Sequence, residues 1–154
     1  MDQDWFLLAV SIYADTSFLV AAYSPESNSM RALTWLQKAR APLPFTPLHR
    51  HELRTAIRLR VFRHEITAAQ CKLAFQELES DITSDVLVHT PAPWTDAFRE
   101  AEKLGALQTE RLGVRSFDLL HVGLACVLNA SEFLTFDSRQ AALVKAAGLR
   151  LVPV

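Results

Sequence analysis

The sequence contains few cysteines and no excess of either charge. Its two cysteines, Cys71 and Cys126, are not in a Cys-x-x-Cys pair. This argues against a disulfide framework and is typical of a protein from a reducing cytoplasm. The formal net charge of −1 excludes the overall basic character of many nucleic-acid-binding proteins, so any contact with a polyanion must come from a local patch.

Long hydrophobic runs are also lacking. The apolar stretch 5–10 is too short to span a bilayer. Asp2 and Asp4 precede it, whereas a signal peptide carries positive charge at that point. These features predict a cytoplasmic protein that does not bind a membrane.

The chain shows no internal repeat, low-complexity tract or linker. Its 154 residues are half hydrophobic and about one-fifth charged, which indicates a folded domain with a substantial core. We therefore predict a single domain over residues 1–154. Within it, residues 1–11 extend the first strand on its N-terminal side or derive from an upstream start codon.

Short apolar runs of β type alternate with helical patterns, which predicts an α/β fold with a mostly parallel sheet covered on both faces. Ligands of such sheets bind beyond the carboxyl ends of the strands. Thr67 and Gln70 form a capping-box pattern, Gly105 weakens the helix around it, and Gly113 ends that helix. The predicted strands are 11–14, 42–46, 86–89, 132–136 and 149–152, and the predicted helices are 17–23, 27–39, 48–63, one beginning near 67, 94–112, one ending near 128, and 138–147.

Four acidic residues occupy positions at which a carboxylate is costly. Asp15 and Asp137 each end an apolar run, Asp118 lies within an apolar helix, and Glu52 lies near a helix start. No Lys or Arg lies inside these runs, and a buried carboxylate requires a partner or a shifted pKa. The four residues are therefore expected to converge on a divalent metal, and oxygen ligands favour Mg²⁺ or Mn²⁺. One ion and two ions both remain possible.

Three of the four acids also have an alternative interpretation. Asp15 and Asp137 are suited to be helix N-caps, and the helix dipole favours an acid at the position of Glu52. Asp118 has no such local role if it lies in the middle of its helix. It is therefore the strongest single indication of a metal site.

Four segments of the chain together resemble the motifs of PIN-domain nucleases and, within that family, of VapC-type toxins from type II toxin–antitoxin pairs. The similarity extends in order over residues 12–154. The segments are Tyr13-Ala-Asp-Thr-Ser-Phe-Leu-Val-Ala21, His51-Glu-Leu-Arg-Thr-Ala56, Ser116-Phe-Asp-Leu-Leu-His121 and Leu134-Thr-Phe-Asp137.

This resemblance implies a three-layer α/β/α PIN-like fold and a metal-dependent endoribonuclease that leaves 5′-phosphate ends. It also implies a homodimer and a cognate antitoxin partner. Asp15 and Asp118 are then candidate direct ligands of Mg²⁺ or Mn²⁺, Glu52 positions the metal or its water, and Asp137 completes the catalytic pocket. The auxiliary hydroxyl groups, which fix a carboxylate or contact phosphate, are those of Thr16, Ser17 and Thr135.

Several basic side chains are candidates for binding RNA phosphate. Arg54 and Arg58 lie on the helix that carries Glu52, and Arg115 and Arg139 flank acids. The alternatives are a solvated helix face, paired with glutamates such as Glu79, and simple charge balance of the pocket. His121, one turn from Asp118, either donates to a carboxylate of the site or is a core or interface histidine.

Three other functions compete with a toxin ribonuclease. A phosphatase of the haloacid dehalogenase type expects Asp-x-Asp after the first strand, but Ser17 occupies the second position. A non-catalytic PIN-like binding module is disfavoured because all four acids are present. A housekeeping RNA-processing nuclease requires the same site, so only its biological context would differ.

Overall fold

A computed structural model describes residues 10–39 and 41–154. Residues 1–9 of the predicted N-terminal extension therefore lie outside the described residues. The strands are β1 (Ile12–Ala14), β2 (Leu43–Phe45), β3 (Leu87–His89), β4 (Glu132–Leu134) and β5 (Arg150–Leu151). The helices are α1 (Thr16–Tyr23), α2 (Ser29–Lys38), α3 (Pro47–Phe62), α4 (Ala68–Thr83), α5 (Trp94–Leu112), α6 (Ser116–Val127) and α7 (Ser138–Ala146).

The paired strands are all parallel and form two hydrogen-bonded groups, β1-β4-β5 and β2-β3. Pro44 in β2 explains why no ladder of backbone hydrogen bonds joins β2 to β1. The Leu43 N–H donates to Val86 of the β3 side, and the Phe45 carbonyl accepts from Thr90. Because backbone groups alternate in direction along a strand, Pro44 faces the other side, where it has no N–H to donate.

Side chains alternate between two cores along the central strands. Tyr13 and Phe133 belong to the cluster formed with α5, α6 and α7, whereas Ala14 and Leu134 belong to the cluster formed with α1 to α4. This period of two is the geometry of an extended strand. The result is a sheet between two helical layers, which confirms the predicted three-layer α/β/α fold.

The predicted end of α5 at Gly113 is confirmed, since Gly113 is the C-cap with a left-handed φ of 66°. Gly105 does not interrupt its helix, because α5 continues unbroken through this residue. The position of a Gly105 Cβ would lie 3.3 Å from Leu119 Cδ1 of α6. Tertiary packing against α6 therefore outweighs the low helix propensity of one glycine.

Gly123 allows α6 to approach the backbone of α5. A Cβ at this position would lie 2.8 Å from the Ala97 carbonyl oxygen and 3.1 Å from the Ala101 nitrogen. We predict that Gly123→Ala lowers the free energy of unfolding by about 1–3 kcal/mol, because rigid backbone must move apart. Urea unfolding of the two proteins measures the difference.

Gly105→Ala is the matched control for this prediction. It also adds a methyl group between α5 and α6, but that group meets the end of a side chain that can move. Alanine gains about 1 kcal/mol over glycine in helix propensity, so we expect no loss of stability. Equal effects of the two substitutions would contradict the proposed role of Gly123.

Within the described ranges, no helix is both long enough and apolar enough to cross a membrane.

Candidate active site

Hydrogen bonds connect the segments that carry all four predicted acids. Asp15 follows β1 and Asp137 follows β4, so both lie at the carboxyl ends of paired parallel strands. Thr135 links them, because its hydroxyl donates to Asp15 Oδ2 (2.6 Å) and accepts from the Asp137 N–H (3.0 Å).

Two further links complete this network. The Thr16 hydroxyl, beside Asp15, donates to Glu52 Oε1 at 2.8 Å. On the other side, the Gln140 backbone N–H donates to Asp137 Oδ1, and its side-chain Nε2 donates to the Asp118 carbonyl oxygen. Four distant segments of the chain thus meet at one edge of the sheet, as expected for a ligand site of an α/β fold.

Asp15 is the most buried of the four acids, with 4% of its surface exposed. Its Oδ1 accepts from the Ser17 hydroxyl (2.7 Å) and the Phe18 N–H (3.1 Å), and its Oδ2 accepts from Thr135. Burial raises the pKa of Asp15 above its ordinary value, although these hydrogen bonds partly oppose the shift. Ionised Asp15 therefore lacks stabilisation that a nearby cation would supply.

Glu52 reaches the site from α3. Its Oε1 accepts from Thr16 and contacts His121 Nε2. Burial raises the pKa of Glu52, but the hydrogen bonds with His121 and Thr16 lower it, and the net result is a pKa below the usual value. Glu52 is accordingly ionised at neutral pH and presents a negative charge beside Asp15.

The expectation that Asp118 lies in the middle of a helix, without a local role, is wrong. Asp118 is the third residue of α6, and its Oδ2 accepts from the N–H of the N-cap residue Arg115 (3.2 Å). Its side chain is 24% exposed and lies 3.9 Å from Arg115 Nε. The apolar sequence around Asp118 predicted a position in the middle of a helix, but α6 begins only at Ser116, so Asp118 falls in its first turn.

The alternative of N-capping is present at both aspartates that follow strands. Asp15 caps α1, and Asp137 caps α7 by accepting from the backbone N–H groups of Arg139 and Gln140. Both bonds to Asp137 reach Oδ1, and no donor among the described residues contacts its Oδ2. Capping therefore uses part of the hydrogen-bonding capacity of Asp137 and leaves one oxygen available.

The three auxiliary hydroxyl groups do not all serve the same acid. Ser17 and Thr135 both donate to Asp15, whereas Thr16 donates to Glu52. Ser17 also accepts from the Phe136 N–H at 3.0 Å, which ties the start of α1 to the segment after β4. These contacts orient the carboxylates from fixed backbone positions.

A family comparison agrees with this arrangement. The model of the PIN domain family matches residues 12–146, which include strands β1 to β4 and all seven helices of the described residues. The chain belongs to the PIN domain family. PIN domains are generally nucleases, so membership supports a hydrolase that acts on nucleic acid. No curated protein sequence matches this PIN domain.

Solved structures show the same fold at low sequence identity. PAE2754 from Pyrobaculum aerophilum is 19% identical to this PIN domain, with a TM-score of 0.61 over 96% of this chain and 87% of that chain. FitAcB from Neisseria gonorrhoeae is 13% identical, with a TM-score of 0.59 over 92% of this chain and 96% of that chain. At these identities the comparisons establish the fold alone.

The donor set of this PIN domain fits a hard divalent cation. PIN nucleases generally use divalent metals, and the four acids offer only oxygen ligands, as Mg²⁺ and Mn²⁺ prefer. Across residues 10–39 and 41–154, no three His, Cys, Asp or Glu side chains are grouped to hold a metal by themselves. Mg²⁺ commonly takes only one or two carboxylates and completes its shell with water and substrate phosphate. The sharing of one metal by all four acids stays a prediction.

The arginines proposed to bind RNA occupy two different surfaces of this PIN domain. Arg54 lies 3.6 Å from Glu79 and stacks on Phe75, as does Arg58. An α-helix turns by about 100° per residue, so the side chain of Arg54 points about 200° away from that of Glu52 around α3, and that of Arg58 about 240°. Both arginines therefore face α4 and not the acids. Arg115 is 79% exposed beside Asp118, and Arg139 is exposed at the start of α7.

Sequence reasoning missed three buried polar residues around the acids. Tyr13 is fully buried, with its hydroxyl 2.7 Å from His121 Nδ1. His49 donates from Nε2 to the Ala14 carbonyl (2.9 Å), and burial lowers its pKa to about 3, so it is neutral. Gln140 lies between Asp118 and Asp137, and its buried Oε1 has no partner among the described residues. The side-chain contacts that bring these residues to the acids join positions distant in sequence, so no local pattern could have revealed them.

Burial of Tyr13 and its closeness to Asp15 and Glu52 raise its pKa well above the ordinary value. Its hydroxyl therefore keeps its proton. For His121, the sequence left open a core role and a bond to a carboxylate. The structure shows both, because His121 is 3% exposed and contacts Glu52 Oε1.

Proposed function

We propose that this PIN domain is a Mg²⁺- or Mn²⁺-dependent endoribonuclease. The observation that carries this proposal is the hydrogen-bonded network that joins the Asp15, Glu52, Asp118 and Asp137 segments at one sheet edge. No basic side chain of the described residues forms an ion pair with Asp15, Glu52 or Asp137, apart from His121 on Glu52. A divalent ion would offset the repulsion of these charges.

The four acids and the hydroxyl groups around Asp15 have different roles in the proposed cleavage. Asp15 and Asp118 would hold the ion, which when bound supplies a Lewis acid for the phosphate and for the attacking water. Ser17 and Thr135 hold both oxygens of Asp15, so its orientation is set before substrate binds. Glu52, an ionised acceptor, is placed to orient water, and Asp137 adds negative charge through its unpaired oxygen.

Incubation of the purified protein with structured RNA tests this function. We expect fragments with 5′-phosphate ends in the presence of Mg²⁺ or Mn²⁺ and none after EDTA is added. Degradation that persists in EDTA, or an intact substrate after removal of any copurified inhibitor, would argue against the proposal. Single-stranded DNA of the same sequence reports whether the substrate class is RNA.

We also propose that the protein is the toxin of a toxin–antitoxin pair. The similarity of its four motifs to VapC-type toxins supports this role. An antitoxin arginine inserted among the carboxylates would silence the enzyme, because guanidinium binds carboxylate bidentately. Expression of the wild-type chain should arrest growth, and the product of a neighbouring small gene should relieve the arrest. Normal growth on expression would favour a housekeeping RNA-processing nuclease.

A homodimer is the quaternary structure that we propose. Several large apolar side chains on α3 and α4 are exposed, and Phe62 is 79% exposed, which is more typical of an interface than of a monomer surface. Phe62→Glu should convert the dimer to a monomer in sedimentation, whereas Phe98→Glu on α5 should not. A wild-type monomer at micromolar concentration would contradict the proposal. The exposed apolar residues on α3 and α4 are Leu59, Phe62 and Leu73.

Arg115 gives a prediction about RNA binding. Its exposed guanidinium lies beside Asp118, where a phosphate would enter the site. Arg115→Ala should weaken RNA binding and reduce the slope of log K against log salt by about one. Arg99→Ala is the control, because Arg99 is 74% exposed and also pairs with an aspartate three residues away in a first helical turn. An unchanged slope for Arg115→Ala would mean that Arg115 does not bind phosphate and only balances the charge of the acidic pocket.

A further inference from the structure

A buried chain of hydrogen bonds reaches Glu52 from the interior of the protein. The Tyr13 hydroxyl lies 2.7 Å from His121 Nδ1, and His121 Nε2 contacts Glu52 Oε1 and lies 3.3 Å from the Thr16 hydroxyl. Tyr13 is 0% exposed and His121 is 3% exposed. A buried polar chain is costly unless every group is satisfied, so its composition restricts where each hydrogen lies.

The hydrogens can be assigned from the Glu52 end. Ionised Glu52 has only acceptor atoms, and the Thr16 hydroxyl already donates its hydrogen to Oε1. His121 Nε2 faces both of these acceptors, so it must carry a hydrogen. His121 therefore donates from Nε2.

The Tyr13 end determines the state of Nδ1. In the described residues, the Tyr13 hydroxyl has no hydrogen-bond partner other than Nδ1. A hydrogen on Nδ1 would leave the buried phenol hydrogen without an acceptor, and an unsatisfied buried donor is destabilising. Tyr13 therefore donates to a bare Nδ1, which agrees with the tautomer that the Glu52 end requires and fixes the orientation of the His121 ring.

The same chain joins the elements that carry the proposed metal ligands. Asp15 directly follows β1 with an extended backbone, so its side chain leaves the same face as that of Tyr13, two residues before it. Asp118 and His121 are three residues apart on α6 and are neighbours on one helix face. A bond from Tyr13 through His121 to Glu52 thus ties β1 and α6 to α3 beside the acids.

We propose that Tyr13 and His121 are positioning residues of the nuclease: the Tyr13 hydroxyl holds the His121 ring in place through Nδ1, and His121 holds Glu52 Oε1 through its Nε2–H. No donor of the described residues contacts Glu52 Oε2, so this oxygen is left for water or cation. Neither residue touches the substrate. This inference rests on the proposed function for its kinetic consequences, but not for the tautomer.

Tyr13→Phe is the first test, because it removes one oxygen and leaves the aromatic packing in place. We expect kcat of Mn²⁺-dependent RNA cleavage to fall about tenfold or more, as for other groups that orient ligands from behind, with little change in KM for RNA. Tyr23→Phe is the matched control, since Tyr23 is also buried and donates to the carboxylate of Asp81 at 2.5 Å, away from the site. Equal kcat losses in both variants would overturn the proposal.

His121→Gln supplies the second test. The glutamine amide can donate to Glu52 without depending on the Tyr13 bond, so adding Tyr13→Phe to His121→Gln should lower kcat by less than twofold. His121→Leu, which has no donor, should lose at least as much activity as Tyr13→Phe. If Tyr13→Phe lowers kcat as much in the His121→Gln background as in the wild type, His121 is not the means by which Tyr13 acts on Glu52.

Nitrogen NMR of the His121 ring provides a readout independent of activity. Wild-type protein should show one ring hydrogen on Nε2 and a bare Nδ1 that accepts a hydrogen bond. In Tyr13→Phe the hydrogen should stay on Nε2, and the Nδ1 signal should move to that of a nitrogen without a hydrogen bond. A hydrogen on Nδ1 in the wild type would overturn the assignment. If the wild-type protein cleaves no RNA, the proposed function fails, whereas the NMR result still decides the hydrogen-bond chain.

Discussion

Replacing Asp15 by asparagine will abolish metal-dependent RNA cleavage, lowering kcat/KM by at least about 1,000-fold, which equals about 4 kcal/mol of transition-state stabilisation. Asparagine keeps the acceptor oxygen that caps α1 but removes the charge that a hard cation requires. The capping bonds from Ser17 and Phe18 can therefore persist while the metal is lost. Single-turnover cleavage at saturating Mn²⁺ measures the effect.

The same substitution should stabilise the metal-free protein. Burial raises the pKa of Asp15 in the folded state, so the folded protein binds a proton more tightly than the unfolded chain does. The stabilising contribution of this proton is complete below about pH 4, the ordinary range of aspartate, and is lost as the pH rises through the folded pKa. At neutral pH in EDTA, we expect Asp15→Asn to raise Tm by at least about 2 °C.

The pH dependence identifies the cause. The difference in Tm between Asp15→Asn and the wild type should grow from about pH 4 to pH 7 and nearly vanish below pH 4. Excess Mn²⁺ should stabilise the wild type and have little effect on the variant. A Tm difference that is independent of both pH and metal would mean that burial of the Asp15 charge is not its source.

Asp118→Asn should lower kcat/KM by at least about 100-fold, which equals about 2.7 kcal/mol. This variant separates two roles of Asp118, which both accepts from the N-cap N–H of α6 and lies in the proposed metal site. A role in capping alone predicts at most about 1 kcal/mol of lost stability and normal cleavage. If Asp118 is a metal ligand, the Asp118→Asn protein should fold but lose cleavage.

Asp96→Asn is a close match for this comparison. Asp96 is the third residue of α5, as Asp118 is of α6, and it pairs with Arg99 at 3.4 Å. Its loss should leave cleavage unaffected and cost no more stability than Asp118→Asn, because the N-cap of α5 is Pro93, which has no N–H to donate to Asp96. Normal cleavage by Asp118→Asn would show that its carboxylate is only a helix-capping group.

The sequence predicted the order of strands and helices because the signals for them are local. The capping box from Thr67 to Gln70 and the left-handed end of α5 at Gly113 are both present in the structure. Their energetics depend on neighbours within one helical turn, so a single sequence contains them. The four family motifs then related these elements to a known architecture.

Asp118 shows where this reasoning failed. The N-cap of α6 is Arg115, a residue type with no preference for that position. Only the end of α5 at Gly113 and the burial of Val114 bring the start of α6 to Ser116. The same limit applies at Gly105, where packing against α6 determines a helix that local propensity disfavours.

The buried polar chain lay beyond prediction for a different reason. Tyr13 and His121 are 108 residues apart, and His121 and Glu52 are 69 residues apart. A hydrogen bond between such positions leaves no periodic trace in one sequence, and an aromatic residue in a strand is sufficiently explained by core packing. His121 was recognisable only as one turn from Asp118.

Titration of the metal-free protein with Mn²⁺, in the absence of RNA, tests most directly whether these acids bind a cation. We predict saturable binding by the wild type that weakens at least about tenfold in Asp15→Asn and Asp118→Asn, by loss of a carboxylate ligand, and is unchanged in Asp96→Asn. The same Kd for all four folded proteins would contradict a metal centre at this edge of the sheet.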